Sequence, residues 1–298
     1  MFSKLFAESG LSLDRLKTLL EVGVAGSIVK AADGDPVRQS QYSRQIKELE
    51  DFFRIKLVER QGKGMRLTAN GRELTRISRF FMLGLSNFQR GCLAEEQTFR
   101  IGASASFIPR FLLPVLSPSK KPGATYATEA VNDAEIERRL HDLTLDFGIV
   151  RRPALSRPLQ SKFLGSWRLE LWMPKALGLT EAAARQRFHA QELPLALAAS
   201  ELDGLDLPLP PNYPAQLTCD SFLQARAALD EQELAALIPD FLTPNHPSRA
   251  FARVRMPNLD SRRHELYLAW NPRLLRLNPH AGRRRDLLAG LLSKRMAE

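Results

Sequence analysis

Apolar positions recur three or four residues apart through the first third of the chain, which is the helical period. Leu13, Leu16, Leu19 and Leu20 form one stripe, ending near Gly23 and Gly26. Ser27 stands as an N-cap for a short second helix through Ala31 and Ala32, whose small side chains allow close helix contact. After the turn signal Gly34-Asp35-Pro36, a third stripe of Tyr42, Ile46, Leu49 and Phe53 predicts a helix with one buried face. Ser40, Arg44 and Lys47 fall roughly opposite, with Gln41 and Ser43 on the shoulders. Such a surface carries donors and acceptors suited to base edges and phosphates. Short strands at 57–60 and 65–67 flank Gln61-Gly62-Lys63-Gly64 and read as a hairpin, with Lys63 and Arg66 placed to reach phosphate or a minor groove. Thr68 then caps a long helix over about 69–93. Its apolar positions Leu74, Ile77, Phe81, Leu85, Phe88 and Cys92 step as a coiled-coil seam does, which favours pairing of two copies over packing on its own domain.

From Phe99 the pattern changes to strands alternating with helices. Strands are expected at 100–104, 125–131 and 145–150, with helices at 107–116 (Pro109 in its first turn) and 134–141 between them. That order predicts a parallel sheet with helices on its faces. Further strands are expected at 167–173 and 193–199, a second strand–helix–strand unit at 216–219, 221–229 and 234–238, a late strand at 264–270 and a terminal helix at 281–296. The Pro-rich run at 207–214 suits only loop or edge. Two α/β lobes follow, the late strand returning to the first. In such a domain a ligand belongs between the lobes, at the carboxyl ends of strands. That selects Ser104, Ser106, Phe107, Arg151, Ala199, Ser200, Asp220 and Ser221 as candidate contacts. Helix N-termini with serines nearby suit a small carboxylate, although Ser at a helix start is more often an ordinary cap.

Charge sharpens the first third. The chain carries a net +10, and between Pro36 and Arg79 there are 11 basic and 5 acidic residues. A focused positive patch attracts a polyanion, nucleic acid first and an anionic membrane surface second. Gly62-Lys63-Gly64 could suggest a nucleotide phosphate loop, but Leu57 stands where the first glycine of that motif belongs. Cys92 and Cys219 fit no metal spacing and suggest a reducing compartment. The five histidines show no ligand spacing, and no Gly-x-Ser-x-Gly elbow occurs, so no metal, no cofactor and no enzyme activity is expected. The N-terminus lacks a sustained apolar signal and no run approaches a membrane span, so a cytoplasmic protein is expected, with no membrane partner.

Residues 12–72 resemble the winged helix-turn-helix of LysR-type transcriptional regulators. The resemblance rests on Gly26-Ser27, Ala31-Ala32, Val37 and Gln39, Ser43-Arg44-Gln45-Ile46, Leu49-Glu50, Leu57-Val58-Glu59-Arg60, and Arg66-Leu67-Thr68 with Gly71. The sequence departs from the family pattern at Asp35, where an apolar residue is usual, and at Arg38 and Ser40, where Ser and Pro are common. The remainder resembles the family's effector-binding domain, shaped like a periplasmic binding protein, through Ile101-Gly102-Ala103-Ser104, Leu113-Pro114, Leu145-Asp146-Phe147-Gly148-Ile149-Val150, Leu237-Ile238-Pro239 and Leu266-Tyr267-Leu268-Ala269-Trp270. The glycines usual before the Leu-Ile-Pro element are replaced by Glu233-Leu234-Ala235-Ala236.

The resemblance implies an α/β protein with a mostly-α winged helix-turn-helix over 1–68, a linker and dimerisation helix over 69–94, and a two-lobed effector-binding domain over 95–298. Lobe I would take about 95–161 and 266–298, and lobe II about 162–265. It further implies double-stranded DNA as a partner, with Gln39, Ser40, Gln41, Ser43 and Arg44 nearest the bases and Arg38 also among the DNA-binding residues. Ser27, Lys47, Lys63, Arg66 and Thr68 would position the protein on the backbone. A small-molecule effector, a homodimer or homotetramer, and RNA polymerase as a further partner complete the implied picture. Two rivals remain open: a DNA-binding regulator whose C-terminal domain is a ligand-free contact platform, and a small-molecule binding module without DNA binding.

Overall fold

The computed structural model describes residues 5, 10–61, 64–93, 97–116, 124–151, 155–205, 207, 213–231, 233–244 and 250–297. The chain divides into two compact units, Met1–Glu95 and Glu96–Glu298.

In the first unit, α1 (Leu13–Ala25) begins where the Ser12 hydroxyl accepts from the Arg15 N–H and ends at Gly26, whose φ of 71° needs no Cβ to be avoided. The hydroxyl of Ser27 accepts from the Lys30 N–H and starts α2 (Ile28–Ala31). The departure at Asp35 has a local purpose: its carboxylate accepts from the Val37 N–H at 2.8 Å, and Pro36 fills the first position of α3 (Pro36–Phe53). One side of α3 buries Tyr42 and Ile46 against Val22, Ile28 and Ala32. Farther along it, Leu49 packs with Leu16, Leu19 and Leu57. Strands β1 (Val58–Gln61) and β2 (Gly64–Leu67) pair antiparallel, from Val58 opposite Leu67 to Gln61 opposite Gly64.

Glu50, also buried, ties α3 to the hairpin. One carboxylate oxygen accepts from the N–H groups of Leu57 and Val58, the other from Lys56 Nζ at 2.8 Å. Burial alone would raise its pKa, but the hydrogen bonds from Lys56, Leu57 and Val58 outweigh burial and leave it lowered. Of the three donors Lys56 lowers it most, although its ammonium is exposed and screened by solvent, and the main-chain N–H groups of Leu57 and Val58 add to it. Glu50→Ala strands the buried Leu57 N–H and is expected to cost about 1–3 kcal/mol in urea unfolding. Because the folded pKa is depressed, the benefit of ionised Glu50 is present above about pH 4.3, its unfolded value, and is lost as pH falls through the folded value.

The helix α4 (Ala69–Leu93) starts at Thr68, whose hydroxyl accepts from the Gly71 N–H and donates to the Lys56 carbonyl. Gly71 lies so close to the hairpin that an added Cβ would stand 2.0 Å from the Leu57 carbonyl oxygen. The expected seam divides in two. Leu74 is half-buried against the Leu16–Leu49 cluster of its own unit, because it falls on the same side as Thr75 and Ser78, both buried. Ile77, Phe81, Leu85 and Phe88 are exposed by 53, 49, 45 and 73%. The Cys92 side chain lies outside the described residues.

In the second unit, β3 (Gln97–Ala103) runs parallel to β4 (Ala124–Ala130) and to β5 (Phe147–Val150). Between β3 and β4 the chain makes a π-helical turn, Ile108–Leu112, and a helical turn, Leu113–Leu116; between β4 and β5 lies α5 (Asp133–His141). β6 (Gln160–Trp167) completes this first sheet without pairing with β5. The second sheet is made of β7 (Leu169–Pro174), β8 (Leu195–Ala198), β9 (Leu217–Cys219), β10 (Ala235–Pro239) and β11 (Phe251–Val254). Outside its strands lie α6 (Glu181–His189), α7 (Ala199–Leu202) and α8 (Phe222–Asp230). The chain then returns as β12 (His264–Trp270), which enters the first sheet antiparallel between β5 and β6, and ends in α9 (Pro279–Ala297). The strand orders are β4-β3-β5-β12-β6 and β9-β8-β10-β7-β11. Each is a parallel trio extended by two antiparallel strands, so both sheets are mixed rather than purely parallel.

Three expectations need correction. The strand expected over 167–173 is divided at Arg168: Trp167 closes β6 of the first sheet and Leu169 opens β7 of the second. The chain therefore passes to lobe II at Arg168 rather than near 162, and returns at His264 rather than 266. The helix expected over 107–116 is irregular, with π geometry through Pro109 in its first part. The missing glycines before Leu237 do not disturb β10, whose residues are all buried and run parallel to β8.

Candidate DNA-reading surface and inter-lobe cleft

Because Tyr42, Ile46 and Leu49 fix the inward face of α3, its other face is open to solvent. Pro36, Val37, Ser40, Gln41 and Arg44 line an open groove of about 630 Å³ there. Arg44 pairs loosely with Glu48 at 3.2 Å and keeps its guanidinium in solvent, 80% exposed. Ser43 and Lys47 are exposed on the same helix and Gln39 is half-exposed. Arg38 is held differently. Its guanidinium meets Asp33 at 3.0 Å and the Tyr42 hydroxyl at 3.3 Å, and that hydroxyl donates to Glu21. Arg38 is thus tied to the turn before the helix rather than extended from it. On the hairpin, Arg66 pairs across the strands with Glu59 at 2.7 Å, while Lys63 lies outside the described residues. The Ser27 hydroxyl caps a helix by accepting and keeps its proton for a ligand, whereas the Thr68 hydroxyl both accepts from Gly71 and donates to the Lys56 carbonyl.

Within the second unit, Ser106 follows β3, Arg151 follows β5, and Ser221 caps α8. Ser106 and Arg151, of lobe I, and the start of α8, of lobe II, converge on Glu201 of α7. Sequence reasoning missed this residue. A glutamate in Ala-Ser-Glu-Leu reads as solvated surface, yet Glu201 is 4% exposed. The Ser221 hydroxyl serves as an N-cap, accepting from the Gln224 N–H at 3.3 Å. Ser200 and Asp220 sit together on the exposed rim, 3.4 Å apart, beside exposed Ala199. Ser104, 7% exposed, has a hydroxyl with no partner among the described residues. Phe107 is not at the cleft surface. It is 1% exposed because its apolar ring packs into an aromatic cluster with Phe111, Trp167 and Phe241, the last of these from lobe II.

Residues 13–72 match the family described as "Bacterial regulatory helix-turn-helix protein, lysR family", and residues 94–289 match the "LysR substrate binding domain". The chain belongs to the LysR family. Among curated relatives it is 28% identical over 166 residues to the HTH-type transcriptional regulator HdfR of Yersinia enterocolitica, an overlap of 54% of this chain and 57% of the relative. HdfR of Shigella boydii is 25% identical over 169 residues, 54% of this chain and 61% of that one. The chain thus spans little more than half the length of the curated relatives it matches. Among solved structures, ArgP from Mycobacterium tuberculosis superposes with a TM-score of 0.66 at 19% identity, covering 95% of this chain and 97% of that one. Full-length OxyR from Pseudomonas aeruginosa does so at 0.60 and 16%, covering 96% and 95%. At these identities the likeness is one of fold. This LysR-family chain therefore shares its full domain order, helix-turn-helix first and two-sheet α/β domain second, with full-length proteins of known structure.

Proposed function

We propose that this protein is a transcriptional regulator that binds operator DNA through α3 and the hairpin and responds to a small molecule held between its lobes. The observation that carries the DNA reading is the solvent-facing groove of α3, where Ser40, Gln41 and Arg44 stand opposite a fully buried side of the same helix. A helix seated in the major groove would bring these three to base edges, with Gln39 and Ser43 beside them. Ser27, Lys47, Arg66 and the start of α4 at Thr68 would then lie along the backbone. Fluorescence anisotropy on duplexes tiled across the gene's own upstream region tests it; uniform affinity across every tile would defeat sequence-specific reading. Arg44→Ala is expected to weaken the preferred duplex by about 1–3 kcal/mol, roughly 5- to 150-fold, while affinity for a scrambled duplex changes little.

The exposed apolar row Ile77, Phe81, Leu85 and Phe88 is our proposed homodimer seam, two such dimers making a tetramer. The effector would enter beside Ser104, Ala199, Ser200 and Asp220 and bias the packing of one lobe on the other. The unpartnered buried hydroxyl of Ser104 at the end of β3 supports a ligand there. The protein would act in the cytoplasm, with RNA polymerase its downstream partner; no described helix is long and apolar enough to cross a membrane. A second reading, a C-terminal domain that works as a contact platform without ligand, draws support from Glu201, which already occupies donors an effector would use.

A further inference from the structure

The inter-lobe junction holds a carboxylate of its own. Oε1 of Glu201 accepts from the Ser106 N–H at 3.0 Å. Oε2 accepts from the Ser106 hydroxyl and from the Phe222 N–H, each at 2.6 Å. Phe222 is the first residue of α8, where the free N–H groups and the helix dipole favour negative charge. Ser106 is fully buried and belongs to lobe I; Glu201 and Phe222 belong to lobe II. The Glu201 main-chain carbonyl accepts from Arg151, which is anchored to Asp133 of lobe I at 3.0 Å. Both ends of this one residue are therefore gripped by the opposite lobe.

Two N–H groups and a hydroxyl converging on one carboxylate make the donor set that a free carboxylate ligand would require. The set is saturated. The Ser106 hydroxyl has one proton, committed to Oε2, and it accepts from the Leu223 N–H at 3.1 Å. An incoming anion would find these three donors already occupied and would face a carboxylate that can only accept.

We propose that Glu201 is a tethered ligand that fills the carboxylate slot between the lobes and so excludes small carboxylates as effectors while it stays in place. As a statement about effector class this rests on reading the cleft as the effector site; as a statement about what fills the slot it stands on the bonds alone. A tethered group outcompetes a free one because its effective concentration at the slot is millimolar or higher. The expected carboxylate is thus present, but it is supplied by the chain.

The test uses the size of what is removed. Glu201→Ala deletes a methylene and a carboxylate, which acetate replaces atom for atom apart from a hydrogen. Thermal unfolding of the full chain is followed in sodium acetate and in sodium chloride of equal ionic strength. E201A is expected to melt about 5–10 °C below wild type, since buried N–H donors lose their acceptor. Tens of millimolar acetate should restore at least half of that loss, chloride none of it, and wild type should not respond to either. Adding Ser106→Ala to E201A should abolish the restoration. The proposal is overturned if acetate stabilises wild type as much as E201A, or if E201A gains nothing over chloride. Should E201A fail to fold, the isosteric E201Q decides: its NH₂ opposes an N–H donor, so it should melt several degrees lower and ignore acetate, and a wild-type melt would overturn the proposal. Operator binding by the wild-type protein is measured separately and reports on the regulator reading, not on this one.

Discussion

Phe81→Glu is expected to leave the protein monomeric at micromolar concentration in sedimentation equilibrium. Its affinity for an operator with two half-sites should fall on the order of 100-fold, while affinity for a single half-site stays as it was. Phe81 is half-exposed on α4 between Ile77 and Leu85, in the middle of the exposed apolar row. A charge there must be desolvated against its copy across a two-fold axis, which adds like-charge repulsion to the lost apolar burial. The affinity loss follows because a dimer holds its second head near the second half-site at high effective concentration. A variant that still sediments as a dimer would remove α4 as the seam.

Gly71→Ala should be the more damaging change to stability, by about 3–4 kcal/mol in urea unfolding. The Cβ it adds would stand 2.0 Å from the Leu57 carbonyl oxygen and 3.0 Å from its carbon, both main-chain atoms. That carbonyl cannot simply retreat, because it also accepts from the Thr68 N–H at 3.0 Å. The added methyl must therefore either break this bond or lift the first turn of α4 off the hairpin. A melt within 1 kcal/mol of wild type, on the order of experimental scatter, would show that α4 does not approach residue 57 this closely.

What the sequence made legible follows from where periodicity is clean. Tyr42, Ile46 and Leu49 repeat at helical spacing with polar residues between them, and α3 buries those three and opens its far side. The strand at 160–167 was illegible because its alternation is broken. Gly165 pairs with Leu266 and Phe163 with Tyr267, leaving Leu164 as an extra residue, and this bulge buries Leu164 while exposing half of Phe163. Glu50 and Glu201 were hidden for another reason. Acidic residues in helical context read as solvated, and only tertiary structure brings main-chain N–H groups to them. Leu74 misled because stripes on both sides of α4 overlap at three- and four-residue steps.

The strand order of the first sheet has a consequence for synthesis. β5 and β6 never pair with each other; both wait for β12, which leaves the ribosome roughly 100 residues after β6. At about 5–20 residues per second, that is some 5–20 s during which β6 has no partner on the side it will bury and β5 presents an open edge. Lobe II can close first, and lobe I becomes whole only when the chain threads back. The nascent protein therefore carries two unpaired strand edges for most of its second half, the period in which chaperone binding or misassociation with a neighbouring nascent chain would act on it.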